Sequence, residues 1–322
     1  MSAIRHFLDL NDIPPETLKS ILAKAHALKA QKFNPPQLFD GLSLAMVFDK
    51  KSTRTRMSFE IAMKQLGGHT LVMGMDELQI SGAESVADTA NVVSRYVDAV
   101  MIRMSDHALL KEFSAECSIP VINGMTNESH PCQIMADILT IEEKLGGVEG
   151  KKIAWFGDWN NVSATFAQAA PIFGFNLVVS CPEDVVPPPP LTPPQAGGKK
   201  AEGLQGGSVT FTSAPLKAAQ GADVIVTDTW VSMGQEGKSI DRFRPYSVTP
   251  EIMAAAAPHA IFMHCMPIHD NEEVSPEVLA SPANVIYDEA ENRLHAQKAI
   301  LAWCLEEAGV SISQKSFNFG NQ

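Results

Sequence analysis

SLAMVFDKKSTRTRMSFEIAMKQL, residues 43–66, decides how the chain is read. Ser43–Phe48 is an apolar run of strand length, and Met57–Leu66 carries apolar residues at helical spacing. Between them stands Ser52-Thr53-Arg54-Thr55-Arg56. A helix start offers unpaired N–H donors and partial positive charge. Hydroxyls add short donors, and guanidinium forks bind phosphate oxygens in pairs. The stretch therefore predicts a strand, an anion-binding turn and a helix. A capped helix carrying two solvated arginines is the plainer alternative for the pentapeptide alone.

The same alternation extends to both sides. Pro14 and Pro15 open a helix with Leu18, Ile21, Leu22, Ala25 and Leu28 on one face. Strands are expected at Thr70–Met73, Ala99–Ile102 and Pro120–Ile122, and helices at Val86–Tyr96, Leu109–Ala115 and Cys132–Leu145. Ser85 is the expected cap of the helix at Val86. Gly146-Gly147 stops the one at Leu145. A second series follows, with strands at Ile153–Phe156, Leu177–Ser180, Val209–Thr212, Val224–Thr227, Ile261–Met263 and Val285–Tyr287, and a final helix from about Glu291 to Glu306. Two such series predict an α/β protein of two domains, each a parallel sheet flanked by helices. Ligands of such sheets bind beyond the carboxyl ends of the strands. Pro182–Pro194 breaks the pattern with seven of the 21 prolines and reads as an exposed loop.

Composition narrows the function. The 322 residues carry 25 basic and 37 acidic side chains, a formal net charge of −12. That disfavours a general nucleic-acid binder, and it makes a local arginine cluster more telling. The five cysteines, Cys117, Cys132, Cys181, Cys265 and Cys304, form no CxxC pair, which fits a reducing compartment. No signal peptide and no apolar run of membrane-spanning length is evident, so a cytoplasmic location is expected.

Four further clusters end strand candidates. Arg103 puts a charge at a strand terminus. His130-Pro131-Cys132-Gln133 offers two donors that could polarise a carbonyl. Asp228-Thr229-Trp230-Val231-Ser232-Met233-Gly234 suits an amino-acid head group, with a carboxylate for the ammonium. His264-Cys265-Met266-Pro267 supplies a thiol whose role stays open between nucleophile, metal ligand and polar contact. Gly157-Asp158-Trp159-Asn160-Asn161 lacks the full dinucleotide fingerprint, and Asn161 reads as a capping residue or a substrate carboxylate contact.

In this order the clusters resemble the ornithine carbamoyltransferases of the aspartate/ornithine carbamoyltransferase superfamily, from His6-Phe7-Leu8-Asp9 to Leu294-His295-Ala296. The resemblance implies transfer of the carbamoyl group of carbamoyl phosphate to the δ-amine of L-ornithine, giving L-citrulline and phosphate in arginine biosynthesis. It implies a carbamoyl-phosphate domain of residues 1–145 plus the C-terminal helix, about 291–322, and an ornithine domain of residues 146–290. Ser52, Thr53, Arg54 and Thr55 would hold the phosphate. Arg103, His130, Gln133 and Arg293 would grip the carbamoyl and phosphate oxygens. Asn161, Asp228, Ser232 and Met233 would hold the α-amino and α-carboxylate groups, with Cys265 and Met266 near the δ-amine. Arg103, His130, Asp228 and Cys265 are the expected catalytic set. No cofactor and no metal are expected. The active unit would be a homotrimer in which Gln79 reaches a neighbour's site, with no nucleic-acid or membrane partner. Trp159, Met266 and Asp270 depart from the family pattern and bear on acceptor choice, for which putrescine or an N-acylated ornithine is the alternative.

Overall fold

The computed structural model describes residues 4–78, 84–186, 206–231, 239–269 and 271–307. Gln79, Ser232, Met233, Gly234, Asp270 and the proline-rich stretch beyond Val186 lie outside the described residues. The chain divides into two compact units, one of residues up to Cys132 and from Arg293 onward, the other Gln133–Asn292.

The first unit runs α1 (Pro15–Ala30), β1 (Ser43–Phe48), α2 (Thr53–Gln65), β2 (His69–Gly74), α3 (Val86–Val93), β3 (Ala99–Arg103), α4 (His107–Glu116) and β4 (Val121–Met125), after which α5 (Pro131–Leu145) begins. Its four strands are parallel, in the order β2-β1-β3-β4. Crossover helices cover the faces of such a sheet, so inner strands are apolar throughout rather than alternating. Every residue of β3 is buried, whereas β2 at the edge has only exposed and half-buried positions. Ala45, Val47, Val100, Ile102, Leu110, Phe113 and Val121 form the core on one side. The expected cap holds: Ser85 Oγ accepts from the Asp88 amide at 3.0 Å.

The second unit continues with β5 (Lys152–Phe156), α6 (Asn161–Phe173), β6 (Asn176–Ser180), β7 (Val209–Thr212), α7 (Pro215–Ala219), β8 (Val224–Thr227), α8 (Pro250–Ala255), β9 (Ile261–His264), α9 (Pro276–Leu279) and α10 (Ile286–Glu307), whose later turns belong to the first unit. Its five parallel strands run β7-β6-β5-β8-β9. Phe156, Ile225, Val248, Phe262 and Ile286 pack in its core. Among the described residues no helix is long and apolar enough to cross a membrane.

One expected strand does not exist. Val285–Tyr287 opens α10 instead, so the last helix starts at Ile286, five residues before the predicted Glu291. The β-branched pair Val285-Ile286 carries a strand signal that local contacts only half obey. Phe262 donates to the Ala283 carbonyl at 2.7 Å and Val285 donates back to Phe262 at 3.1 Å, a single bridge along β9. Asn284 Oδ1 then accepts the Ile286 amide at 3.1 Å and starts the helix. The bridge also covers the open edge of β9.

Candidate active site

In the first unit the functional side chains gather at the ends of β1, β3 and β4. Ser52 is the extended residue before α2, and its hydroxyl makes no capping bond. Thr53 is exposed in the first turn and Arg54 half-buried, while Thr55 is fully buried. Two guanidiniums converge on the Thr55 hydroxyl: Arg103 Nη1 donates at 2.9 Å and Arg293 Nη2 at 2.8 Å. Arg103 is the last residue of β3, and Arg293 comes from α10. Both are buried. His130 is buried beside them. Burial first, then the charges of Arg293, Arg103 and Arg54, hold its pKa well below the usual 6.5. A neutral imidazole within a guanidinium cluster can polarise a carbonyl without adding a further charge.

Backbone geometry aims these groups. The β3–β4 ladder shifts register between Ile102 and Arg103, so Ile102 pairs with Asn123 and Arg103 with Met125. The skipped residue is Gly124, where a Cβ would lie 2.4 Å from Met101 Sδ. Such a bulge bends the strand and re-aims its end. The loop before His130 is held by Thr126, which donates its amide to the Ser129 carbonyl at 2.9 Å and contacts His107 Nδ1 at 3.0 Å through its hydroxyl. Ser129 Oγ donates to Asp9 at 3.0 Å.

In the second unit the centre is Asp228, one residue beyond β8. Asn160 Nδ2 donates to Asp228 Oδ2 at 2.7 Å, and Cys265 Sγ donates to Oδ1 at 3.0 Å. Burial and the adjacent Asp228 carboxylate raise the Cys265 pKa well above its ordinary value. Of the three roles left open for Cys265, this environment favours the polar contact over a thiolate nucleophile. Met266 has φ 58°, with a cis bond to Pro267. Its amide donates to His264 Nδ1 at 2.9 Å, which leaves the imidazole proton on Nε2, 3.3 Å from Glu273 Oε1. Ligand atoms of Asp228, His264 and Cys265 lie within 4.8 Å of one another, as do those of His269, Glu272 and Glu273. His264 spends both ring nitrogens inside the protein, which argues against its use as a metal ligand.

Asn161 is not the helix cap. Asn160 caps α6, accepting from the Val162 and Ser163 amides at 2.9 and 3.1 Å, and Asn161 is the first helical residue. Asn160 was also missed as the partner of Asp228, although an Asx residue before a helix signals a cap. Gln133 is buried on α5 and donates to Asp137 and Glu289. Trp159 packs against Phe211 with ring centroids 5.4 Å apart and the ring planes tilted by 55°.

The carbamoyl-P binding domain model of aspartate/ornithine carbamoyltransferase matches residues 5–143, and the Asp/Orn binding domain model matches residues 149–304. The chain belongs to the aspartate/ornithine carbamoyltransferase family. It is 47% identical over 315 residues to the ornithine carbamoyltransferase of Brucella suis biovar 1 (strain 1330), covering 96% of this chain and 98% of that protein. The counterpart from Bradyrhizobium diazoefficiens is 48% identical over 310 residues, covering 94% and 97%. Among solved structures, the ornithine carbamoyltransferase from Pyrococcus furiosus is similar with a TM-score of 0.86 and 44% identity, covering 93% of this carbamoyltransferase and 96% of that chain.

Proposed function

We propose that this family member transfers the carbamoyl group of carbamoyl phosphate to the δ-amine of L-ornithine, yielding L-citrulline and phosphate. The observation that carries the reading is the convergence of buried Arg103 and Arg293 on Thr55 beside a neutral His130. It is an anion site built into a chain of net charge −12. Full-length similarity to ornithine carbamoyltransferases supports ornithine as the acceptor.

Ser52, Thr53, Arg54 and Thr55 would take the phosphate, with Gln133 at the carbamoyl group. Asp228, Asn161, Ser232 and Met233 would hold the ornithine head group, and Cys265 and Met266 its reacting end. The neutral δ-amine attacks the carbamoyl carbon. Arg103, Arg293 and His130 stabilise the oxyanion, and the leaving phosphate takes the proton the amine gives up. Positioning and electrostatics supply the acceleration, with proximity worth ~7–11 kcal/mol in favourable cases.

Residues 1–145 with the final helix would form the carbamoyl-phosphate domain and residues 146–290 the ornithine domain. The reaction requires neither cofactor nor metal, and it would serve arginine biosynthesis in the cytoplasm. The active unit would be a homotrimer with Gln79 completing a neighbour's site. Exposed Met57 and Ile61 on α2 and Leu71 on edge strand β2 suit self-association. The deciding experiment assays citrulline and phosphate formation in chelator over a panel of ornithine, putrescine and N-acetylornithine. Preference for ornithine with full activity is expected. Equal or faster turnover of another amine would overturn the acceptor assignment, and strict metal dependence would overturn the mechanism.

A further inference from the structure

The start of the chain adds a partial strand to the first sheet. Phe7 pairs in parallel with Ile122 of β4. The Phe7 amide donates to the Val121 carbonyl at 2.8 Å, and the Phe7 carbonyl accepts the Asn123 amide at 2.8 Å. Side chains reinforce the pairing: Asn123 Nδ2 donates to the Leu8 carbonyl at 2.9 Å, and His6 Nδ1 accepts the Val121 amide at 3.1 Å. The Phe7 ring is fully buried and meets Trp303 edge-on. The segment covers the edge of β4, and its backbone and its side chains both fix it there.

Parallel pairing carries the next residues toward the carboxyl ends of the strands, where the functional side chains gather. There Asp9 Oδ1 accepts from the Leu10 amide and from Ser129 Oγ, both at 3.0 Å. Ser129 is fully buried and stands directly before His130. Its amide donates to Thr126 Oγ1 at 3.1 Å, and its carbonyl accepts the Thr126 amide at 2.9 Å. The far side of this loop is tied down by the Asn127 amide, which donates to the Ser105 carbonyl at 3.1 Å, and by the Thr126–His107 contact. On the His130 side the tie is the bond to Asp9, 120 residues back along the chain. The Ser129 carbonyl belongs to the peptide that joins Ser129 to His130, so the orientation of that peptide sets where the imidazole starts.

We propose that Asp9 is a positioning residue for the reaction: its Oδ1, acting through the Ser129 hydroxyl, fixes the loop that presents the His130 imidazole to the carbamoyl oxygen of the substrate. This rests on the assignment of His130 as the group that polarises that carbonyl. Asp9 contributes an acceptor at one place. Both of its donors are neutral, so the geometry of the oxygen matters and the charge does not.

Steady-state kinetics with both substrates tests the role in Asp9→Ala, Asp9→Asn, Ser129→Ala and His130→Ala, singly and combined. A misplacement of ~1 Å can cost ~100-fold, so a partial release of the loop in Asp9→Ala or Ser129→Ala should lower kcat about tenfold. The arginines stay in place, so KM for carbamoyl phosphate should move by less than about threefold. Asp9→Ala and Ser129→Ala together should cost no more than either alone, because both remove one bond. Asp9→Asn keeps an oxygen acceptor and should stay within about twofold of wild type. In the His130→Ala background Asp9→Ala should change kcat by less than about twofold, since the group it aims is gone. A purely structural Asp9 would instead slow the His130→Ala enzyme by the same factor as the wild type. That result, or an Asp9→Asn enzyme as slow as Asp9→Ala, overturns the positioning role and leaves the proposed reaction standing. Wild-type kcat in His130→Ala would overturn the assignment of His130, and this inference with it. Ser129→Ala deletes a single hydroxyl and decides the question even where Asp9→Ala does not fold, because an unchanged kcat there also overturns the role.

Discussion

Thr55 offers one hydroxyl oxygen, and two buried arginines spend a bond on it. Hydrogen bonds to charged groups are worth ~1.5–3 kcal/mol each, so this oxygen sets the guanidinium geometry. Thr55→Val should lower kcat/KM for carbamoyl phosphate by about 10–100-fold, and Thr55→Ser should remain close to wild type. Steady-state kinetics decides, and a fully active valine variant would mean that packing alone orients the arginines. His130 yields a second expectation. Its folded pKa lies below 6.5, so the unfolded chain binds the proton first as pH falls. Its contribution is complete above 6.5 and is lost below that value by up to ~1.4 kcal/mol per pH unit. Glu289 has the opposite sign, since its raised pKa costs stability as pH rises past about 4.5. The two oppose each other between about pH 5 and 6.5, so the His130 effect appears only as a difference. Urea unfolding should show the stability advantage of wild type over His130→Gln shrinking as pH falls from 7 to 5. A constant difference would place the His130 pKa near normal. At this scale the sequence reveals Arg54, Thr55, Arg103 and His130, because charge and hydroxyl at strand ends are unusual. Asn160 and Glu289 stay hidden, since their partners Asp228 and Gln133 lie 68 and 156 residues away and only folding brings them together.

Elements deliver those residues through their ends. Strand β4 is read correctly from Val121 and Ile122, yet the sequence does not announce the bulge at Gly124 that re-aims Arg103. A glycine inside a strand pattern is the only hint. An added Cβ there meets Met101 Sδ at 2.4 Å, the Ile102 carbonyl at 3.2 Å and Arg103 Cβ at 3.3 Å. Gly124→Ala should therefore cost about 1–3 kcal/mol by overpacking and should also displace Arg103. Denaturant unfolding and kcat/KM for carbamoyl phosphate should fall together. An alanine variant of wild-type stability and activity would mean that Met101 yields freely. The Val285–Tyr287 misreading shows the reverse limit. Local β propensity there loses to an Asn284 cap and to one tertiary bridge, neither of which a short window reveals. Earlier helix onset carries Glu289 into the first turn of α10, where it meets Gln133.

At the scale of the molecule, the alternating strand and helix pattern reveals two parallel sheets, because fully buried strands leave short continuous apolar runs and the helices between them leave apolar residues at helical spacing. Assembly leaves a weaker trace. Met57 is 60% exposed, Ile61 one turn further along α2 is 38% exposed, and Leu71 on the β2 edge is 53% exposed. A closed ring of copies would bury such surface and also protect an open strand edge. The trimer proposed here makes a stronger claim than association, since Gln79 from one copy would serve the site of the next. Met57→Glu with Ile61→Glu should yield monomers by sedimentation velocity, with activity falling alongside. Complementation separates a shared site from a merely stabilising interface. Arg54→Ala disables the home half of a site and Gln79→Ala the visiting half. When equal amounts are unfolded and reassembled together, a site works only if its own chain retains Arg54 and its neighbour retains Gln79. Random assortment gives that combination at about one site in four. Recovery of about a quarter of wild-type activity from two inactive parents is therefore expected. Parents that stay inactive when mixed, despite forming mixed trimers, would confine each site to a single chain and reduce the ring to a scaffold.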